Sequence, residues 1–118
     1  MSTFSTHDSL FLLGRFGMGT RVELQRLLEE VLGSRNVYFQ PPSNLRMNYP
    51  AIVYRRNRIE NRSANNATYA QSNSYQITVI DANPDSEIVT KVSQLPMCRH
   101  DRNFASDNLN HDVFIIYF

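Results

Sequence analysis

The chain has little glycine, and none after Gly33. All four glycines, Gly14, Gly17, Gly19 and Gly33, fall in its first third. Backbone cradles for phosphate depend on glycine, so no such loop is expected over most of the chain. Cysteine occurs once, as Cys98. A single cysteine excludes an internal disulfide framework and a cysteine-rich zinc site, and it agrees with a reducing compartment. Lysine also occurs once, as Lys91, beside eleven arginines. Long apolar runs are missing. The longest near the N-terminus is Leu10 to Leu13, with no basic residue before it. That is too short for a signal-peptide core, and a spanning helix needs about 20 apolar residues. The expectation is a product made in the cytoplasm, without an export signal or a membrane span. A charge excess is missing too: twelve basic residues stand against eleven acidic ones, a net +1. No bulk field therefore draws the chain to nucleic acid or to an anionic membrane.

What is present suits one globular domain. The 118 residues are 42% hydrophobic and 19% charged, which rules out a wholly disordered chain. A chain of this length buries roughly 65% of its unfolded surface. Residues 1–19 read as an N-terminal arm, with Ser, Thr and Gly alternating with Phe4, Phe11, Phe16 and Met18 and a short helical turn around Ser9–Leu13. Residues 20–118 read as a single α+β domain.

Thr20-Arg21-Val22-Glu23 is a capping box. Val22, Leu24, Leu27, Leu28, Val31 and Leu32 follow at helical spacing, and Gly33 stands where a closing glycine belongs. These signals predict a helix over Arg21–Leu32. Asn36–Gln40 reads as a strand stopped by Pro41-Pro42. Ala51–Ile59 reads as a second strand, apolar in its first half and basic in its second. Residues 60–72 read as a polar loop, and Ser74–Asp81 as a third strand able to pair with the second as a long hairpin. Asn83-Pro84-Asp85 looks like a helix start, with Asn83 as N-cap. Ile88, Val89, Val92 and Leu95 form that helix's apolar stripe, and Pro96 ends it.

Met97–Phe104 reads as a strand with Met97, Arg99, Asp101 and Asn103 on one face, and 105–111 as a polar turn. Val113–Phe118 is a last strand whose six apolar or aromatic residues point to burial on both faces, or to one face in the core and one in an interface. The order α-β-β-β-α-β-β predicts an antiparallel or mixed sheet of about five strands with two helices packed on one face. Tyr38, Tyr54, Tyr75 and Tyr117 lie on strands, where amphipathic rings suit a half-buried or partner-contacting sheet face.

Catalytic patterns are sparse. Each histidine precedes an aspartate: His7-Asp8, His100-Asp101 and His111-Asp112. Neighbours on a strand point to opposite faces, so these pairs do not converge by themselves. Cys98 and His100 stand two apart, a spacing that a strand places on one face and that a Cys–His nucleophile needs. No third orienting group or oxyanion hole accompanies them in the sequence, and a buried structural thiol is the plainer reading. No phosphate loop, nucleophile elbow or HExxH motif occurs. The expectation is a protein that is not an enzyme and that needs no metal or cofactor. Arg55, Arg56, Arg58 and Arg62 form the one local charge cluster. It suits a protein interface, a phosphate backbone or a solvated hairpin tip.

Three blocks carry a family resemblance. The first is Asn36-Val37-Tyr38-Phe39-Gln40-Pro41-Pro42, followed by Tyr49-Pro50-Ala51-Ile52-Val53-Tyr54. The second is Tyr75-Gln76-Ile77-Thr78-Val79-Ile80-Asp81 with Pro84-Asp85-Ser86. The third is Asp107-Asn108-Leu109-Asn110-His111-Asp112-Val113 with its aromatic end. In order and spacing, from about residue 20 to 118, they resemble the tail terminator proteins of long-tailed bacteriophages, also called tail completion or tail-to-head joining proteins. The resemblance implies an α+β subunit of a hexameric ring in the tail or neck of the virion, assembled in the host cytoplasm. Such a ring caps the tail tube, stops its polymerisation and joins it to the head connector, while DNA passes through its lumen without specific binding. The implied partners are further copies of the chain, the tail-tube protein and the head-tail connector protein.

The family has no catalytic motif to carry over. Under this reading Arg55, Arg56, Arg58, Arg62, Asn65, Asn66, Tyr69, Tyr117 and Phe118 are the candidates for a subunit contact, a partner contact or the lumen. The alternatives are a head-completion or connector adaptor of the phage neck and, behind it, a small nucleic-acid-binding module.

Overall fold

The computed structural model describes residues 19–63 and 69–118. Its elements are α1 (Arg21–Leu32), β1 (Val37–Phe39), β2 (Ala51–Ser63), β3 (Tyr69–Asp81), α2 (Glu87–Ser93), β4 (Cys98–Ser106) and β5 (Leu109–Tyr117). The strands form one mixed sheet in the order β1-β2-β3-β5-β4. β1 runs parallel to β2 and every other neighbouring pair is antiparallel. The fold is α+β, with two helices and a five-stranded sheet among the described residues.

The local signals for α1 act as the sequence suggests. Thr20 Oγ1 accepts from the Glu23 amide at 3.2 Å, and the Thr20 amide donates to Glu23 Oε1 at 2.8 Å. Gly33, at φ 83°, closes the helix by donating its amide to the Glu29 carbonyl at 2.8 Å. At α2 the cap differs from expectation. Asn83 Oδ1 accepts from the Asp85 amide at 2.9 Å and so closes a local turn. Ser86 is the N-cap instead, its Oγ accepting from the Ile88 amide at 3.2 Å, and the helix starts at Glu87.

Strand boundaries differ more. β2 and β3 extend to Ser63 and back to Tyr69, so most of the stretch read as a loop over 60–72 is paired backbone. The supposed turn over 105–111 shrinks to Asp107-Asn108, both at positive φ, with Ser106 paired to Leu109. Two residues at positive φ match the twist of the flanking strands, and Asp and Asn tolerate that conformation best among non-glycine residues.

The core joins Leu24 and Leu28 of α1 and Val92 of α2 to alternate sheet residues: Ile52 and Tyr54, then Tyr75, Ile77 and Val79, then Phe114 and Ile116. β5 sits between β3 and β4, and Val113, Phe114, Ile115 and Ile116 are all buried, as their unbroken apolar run predicts. Two of the four strand tyrosines correct the expectation of a half-buried or partner-contacting aromatic sheet face, while Tyr38 and Tyr117 are half-buried. Tyr54 and Tyr75 are 0% and 1% exposed and belong to the core. Their hydroxyl ends explain how: Tyr54 donates to Gln25 Oε1 at 2.6 Å and accepts from Arg21 at 3.1 Å, so its polar tip is satisfied beneath α1.

Candidate interaction surface on the β2–β3 hairpin

β2 leaves the core at Tyr54. Up to there it is flanked by β1, with Tyr38 beside Val53 and Phe39 beside Tyr54. Pro41 and Pro42 then end β1, and Gln40 takes over its hydrogen bonding. The Gln40 amide donates to the Tyr54 carbonyl at 2.9 Å, and its Oε1 accepts from the Arg56 amide at 3.2 Å. From Arg55 to Arg58 every residue is exposed.

A bulge at Asn57 decides where the arginines point. Arg55 pairs with Gln76, Arg56 with Tyr75 and Arg58 with Ser74. Successive residues of β3 face opposite sides, so Arg55 and Arg58 share one face and Arg56 takes the other. Asn57, the extra residue, donates its side-chain amide to Ser74 Oγ at 3.1 Å, which satisfies a hydroxyl that is only 1% exposed. The Arg56 guanidinium lies over the Tyr75 ring, 5.5 Å from its centroid. Ser74 is also the last β3 residue paired with β5, opposite Tyr117. Beyond it the sheet narrows to two strands: Ile59–Ser63 pairs with Tyr69–Asn73 and with no other described strand. A two-stranded ribbon alone is marginally stable in water.

The candidate residues therefore fall at different places in the fold. Arg55, Arg56 and Arg58 occur together on the open stretch of β2. Arg62 and Tyr69 lie on the paired backbone of the ribbon, in strands rather than in the expected loop, because the β2–β3 ladder continues past Ser74. Asn65 and Asn66 lie outside the described residues, as does the N-terminal arm up to residue 18. Tyr117 is partly buried on β5. Phe118 is 4% exposed and packed in the core. Its carbonyl accepts from the Gly19 amide at 2.6 Å and its amide donates to the Asn73 carbonyl at 3.1 Å. In the folded chain Phe118 is thus a packing residue. Gly19 lies so close to its ring that no Cβ fits between them.

The Cys–His pair behaves as a structural feature. Cys98 pairs with Ile116 and His100 with Phe114, both in register with the core face. Burial pushes the Cys98 thiol up to about 11. A nucleophilic cysteine needs the opposite shift. A bulge at Asp101 then interrupts β4 and overturns the expected alternation of Met97, Arg99, Asp101 and Asn103 on one face. Arg99 and Arg102 both reach Asp101, at 3.6 and 2.8 Å. His100 instead meets Asp112 across the ladder, Nε2 to Oδ1 at 3.1 Å. That contact joins residues of two different His-Asp dipeptides, and no sequence neighbourhood announces it. Among the described residues, no group of three or more His, Cys, Asp or Glu is placed to hold a metal ion. No helix among them is long and apolar enough to cross a membrane.

A groove of about 610 Å³ opens between the start of α2 and the β4–β5 hairpin. Asp85, Ser86, Thr90, Asn103, Phe104 and Asp112 contribute to its walls. Phe104 is 46% exposed and stacks on His111 with ring centroids 4.6 Å apart. No stretch of sequence announces this groove, because its walls come from three separate segments. No protein-family model matches the chain, and no curated protein sequence matches it significantly.

Proposed function

We propose that this chain is a structural subunit of the tail-terminator type, which assembles into a ring, caps a phage tail tube and joins it to the head connector. The reading starts from the ordered blocks of the sequence resemblance. The structural observation that carries it is the reach of β2 and β3 beyond the sheet as a two-stranded ribbon. A capping ring needs a compact body to build its wall and an extension that engages the next layer. The body here is the five-stranded sheet with its helices, and the extension is the arginine-rooted hairpin. Arg55, Arg56 and Arg58 split between two faces at the Asn57 bulge, so they form no single stripe along which a nucleic-acid backbone would track. Together with a net charge of +1, this favours a protein contact over a nucleic-acid module.

The test is electron microscopy of lysates made by a phage that lacks this gene. Overlong or ragged tails beside unattached, DNA-filled heads are the expected result. Tails of normal length with heads that leak DNA or fail to join would move the chain to the connector. Normal infectious particles would overturn both roles.

A further inference from the structure

We infer that residues 1–18 of this chain lie across the sheet face turned away from α1 and α2, with their apolar side chains against Ile80, Val113 and Ile115. The inference stands apart from the ring reading above, since it concerns one chain only.

Alternation along the strands sorts the buried apolar residues into two sets. The set that packs with α1 and α2 includes Ile52 and Tyr54 of β2, Ile77 and Val79 of β3, and Phe114 and Ile116 of β5. Ala51, Ile80, Val113 and Ile115 are buried too, at 0%, 6%, 1% and 7% exposure, yet they do not belong to that cluster. Each is the strand neighbour of a cluster member and so points to the opposite side. There Ala51 meets Ile80, and Val113 meets Thr78, across the ladders. Both described helices pack on the other side. The connection from β1 to β2 reaches the flank of this face, where the Asn48 amide donates to the Tyr38 hydroxyl at 3.5 Å. A sheet face left to water alternates with polar residues, whereas an unbroken apolar run such as Val113–Phe118 marks a strand covered on both sides.

The first 18 residues have the composition and the position to supply that cover. They hold Phe4, Phe11, Phe16 and Met18 and the run Leu10–Leu13, an apolar load that a solvated tail does not carry. They join the domain at Gly19, whose amide donates to the carbonyl of Phe118 at the end of β5. Ile115 and Val113 stand three and five residues back from Phe118, about 10 and 17 Å along the strand. Two strand spacings, about 10 Å, separate β5 from β2. Eighteen residues span about 27 Å as a helix and up to about 60 Å extended, so their length suffices in either form. The four side chains are buried within a single chain, which favours a segment of that chain over a second copy as the occupant.

The test is NMR on the full native chain, reading nuclear Overhauser contacts between the rings of Phe4, Phe11 and Phe16 and the methyl groups of Ile80, Val113 and Ile115. Contacts from these rings to the methyl groups are the expected result. Methyl groups that contact residues 19–118 alone overturn the inference. In a mixture of two differently labelled samples, ring contacts that appear between chains give the face to the arm of a second copy and overturn it as well. A thiol probe supplies a second measurement. Thr78→Cys, in a chain carrying Cys98→Ser, puts a cysteine at the centre of the face. Adding Phe11→Ser and Phe16→Ser should speed its alkylation about tenfold or more. The native Cys98, packed on the helix side, should keep its rate when the same two substitutions are made without the probe. An unchanged rate at position 78 overturns the inference. So does an equal gain at Cys98, because the first 18 residues would then support the whole domain rather than cover this face.

Discussion

The two halves of β2 share one backbone and live in different solvents. Ala51, Ile52 and Tyr54 are 0% exposed, whereas Arg55 to Arg58 are all exposed. Strand geometry does not make the difference. The first half has β1 on one side, β3 on the other and α1 above it, while β1 ends at Phe39 opposite Tyr54. The Pro41-Pro42 stop at the end of β1 thus marks where packed side chains give way to exposed ones on β2. The same division runs through β3, whose Ser74–Asp81 half pairs with β5 and whose Tyr69–Asn73 half pairs with β2 and with no other described strand.

The comparison breaks if buried and exposed halves respond alike to substitution. Phe114→Ala removes a fully buried ring at the centre of the cluster and is expected to cost about 3–5 kcal/mol in denaturant unfolding. A cost below about 1 kcal/mol would mean that the sheet centre is not the core. Gly19→Ala forces a methyl group against the buried Phe118 ring, and overpacking of this kind costs about 1–3 kcal/mol. Pairing it with Phe118→Leu should recover part of the loss, which a backbone effect at Gly19 would not allow.

Tyr54→Phe leaves the ring in place and removes the hydroxyl shared by Gln25 and Arg21. About 1 kcal/mol is expected, read as a lower unfolding midpoint at unchanged slope. The double substitution Arg55→Glu with Arg56→Glu lies across the boundary, and its unfolding free energy should stay within about 0.5 kcal/mol of the native value. A larger loss would place these arginines in the structural frame rather than on a partner surface.

Much of the frame was legible in the sequence because its signals are local. The capping box at Thr20 and Glu23, the glycine at 33 and the apolar spacing between them need only residues within a few positions of one another. The order of elements and the hairpin pairing of β2 with β3 were legible for the same reason. Polar residues hid the strand lengths. Glu60 to Ser63 and Tyr69 to Ser72 carry no apolar alternation, and only pairing with each other makes them strand. The Asn83 cap failed because its side chain accepts from the Asp85 amide and closes a turn ahead of the helix, which Ser86 caps instead.

By itself the sequence determined α1, the element order and the absence of a net charge field, since each depends on composition or short spacing. Only the tertiary structure decided that Tyr54 and Tyr75 are core residues, that a bulge at Asn57 divides the arginines between two faces, and that His100 meets Asp112. Those outcomes depend on which strand lies beside which, and in what register. That follows from packing distant segments around one core, a balance summed over the whole chain that no window of the sequence contains.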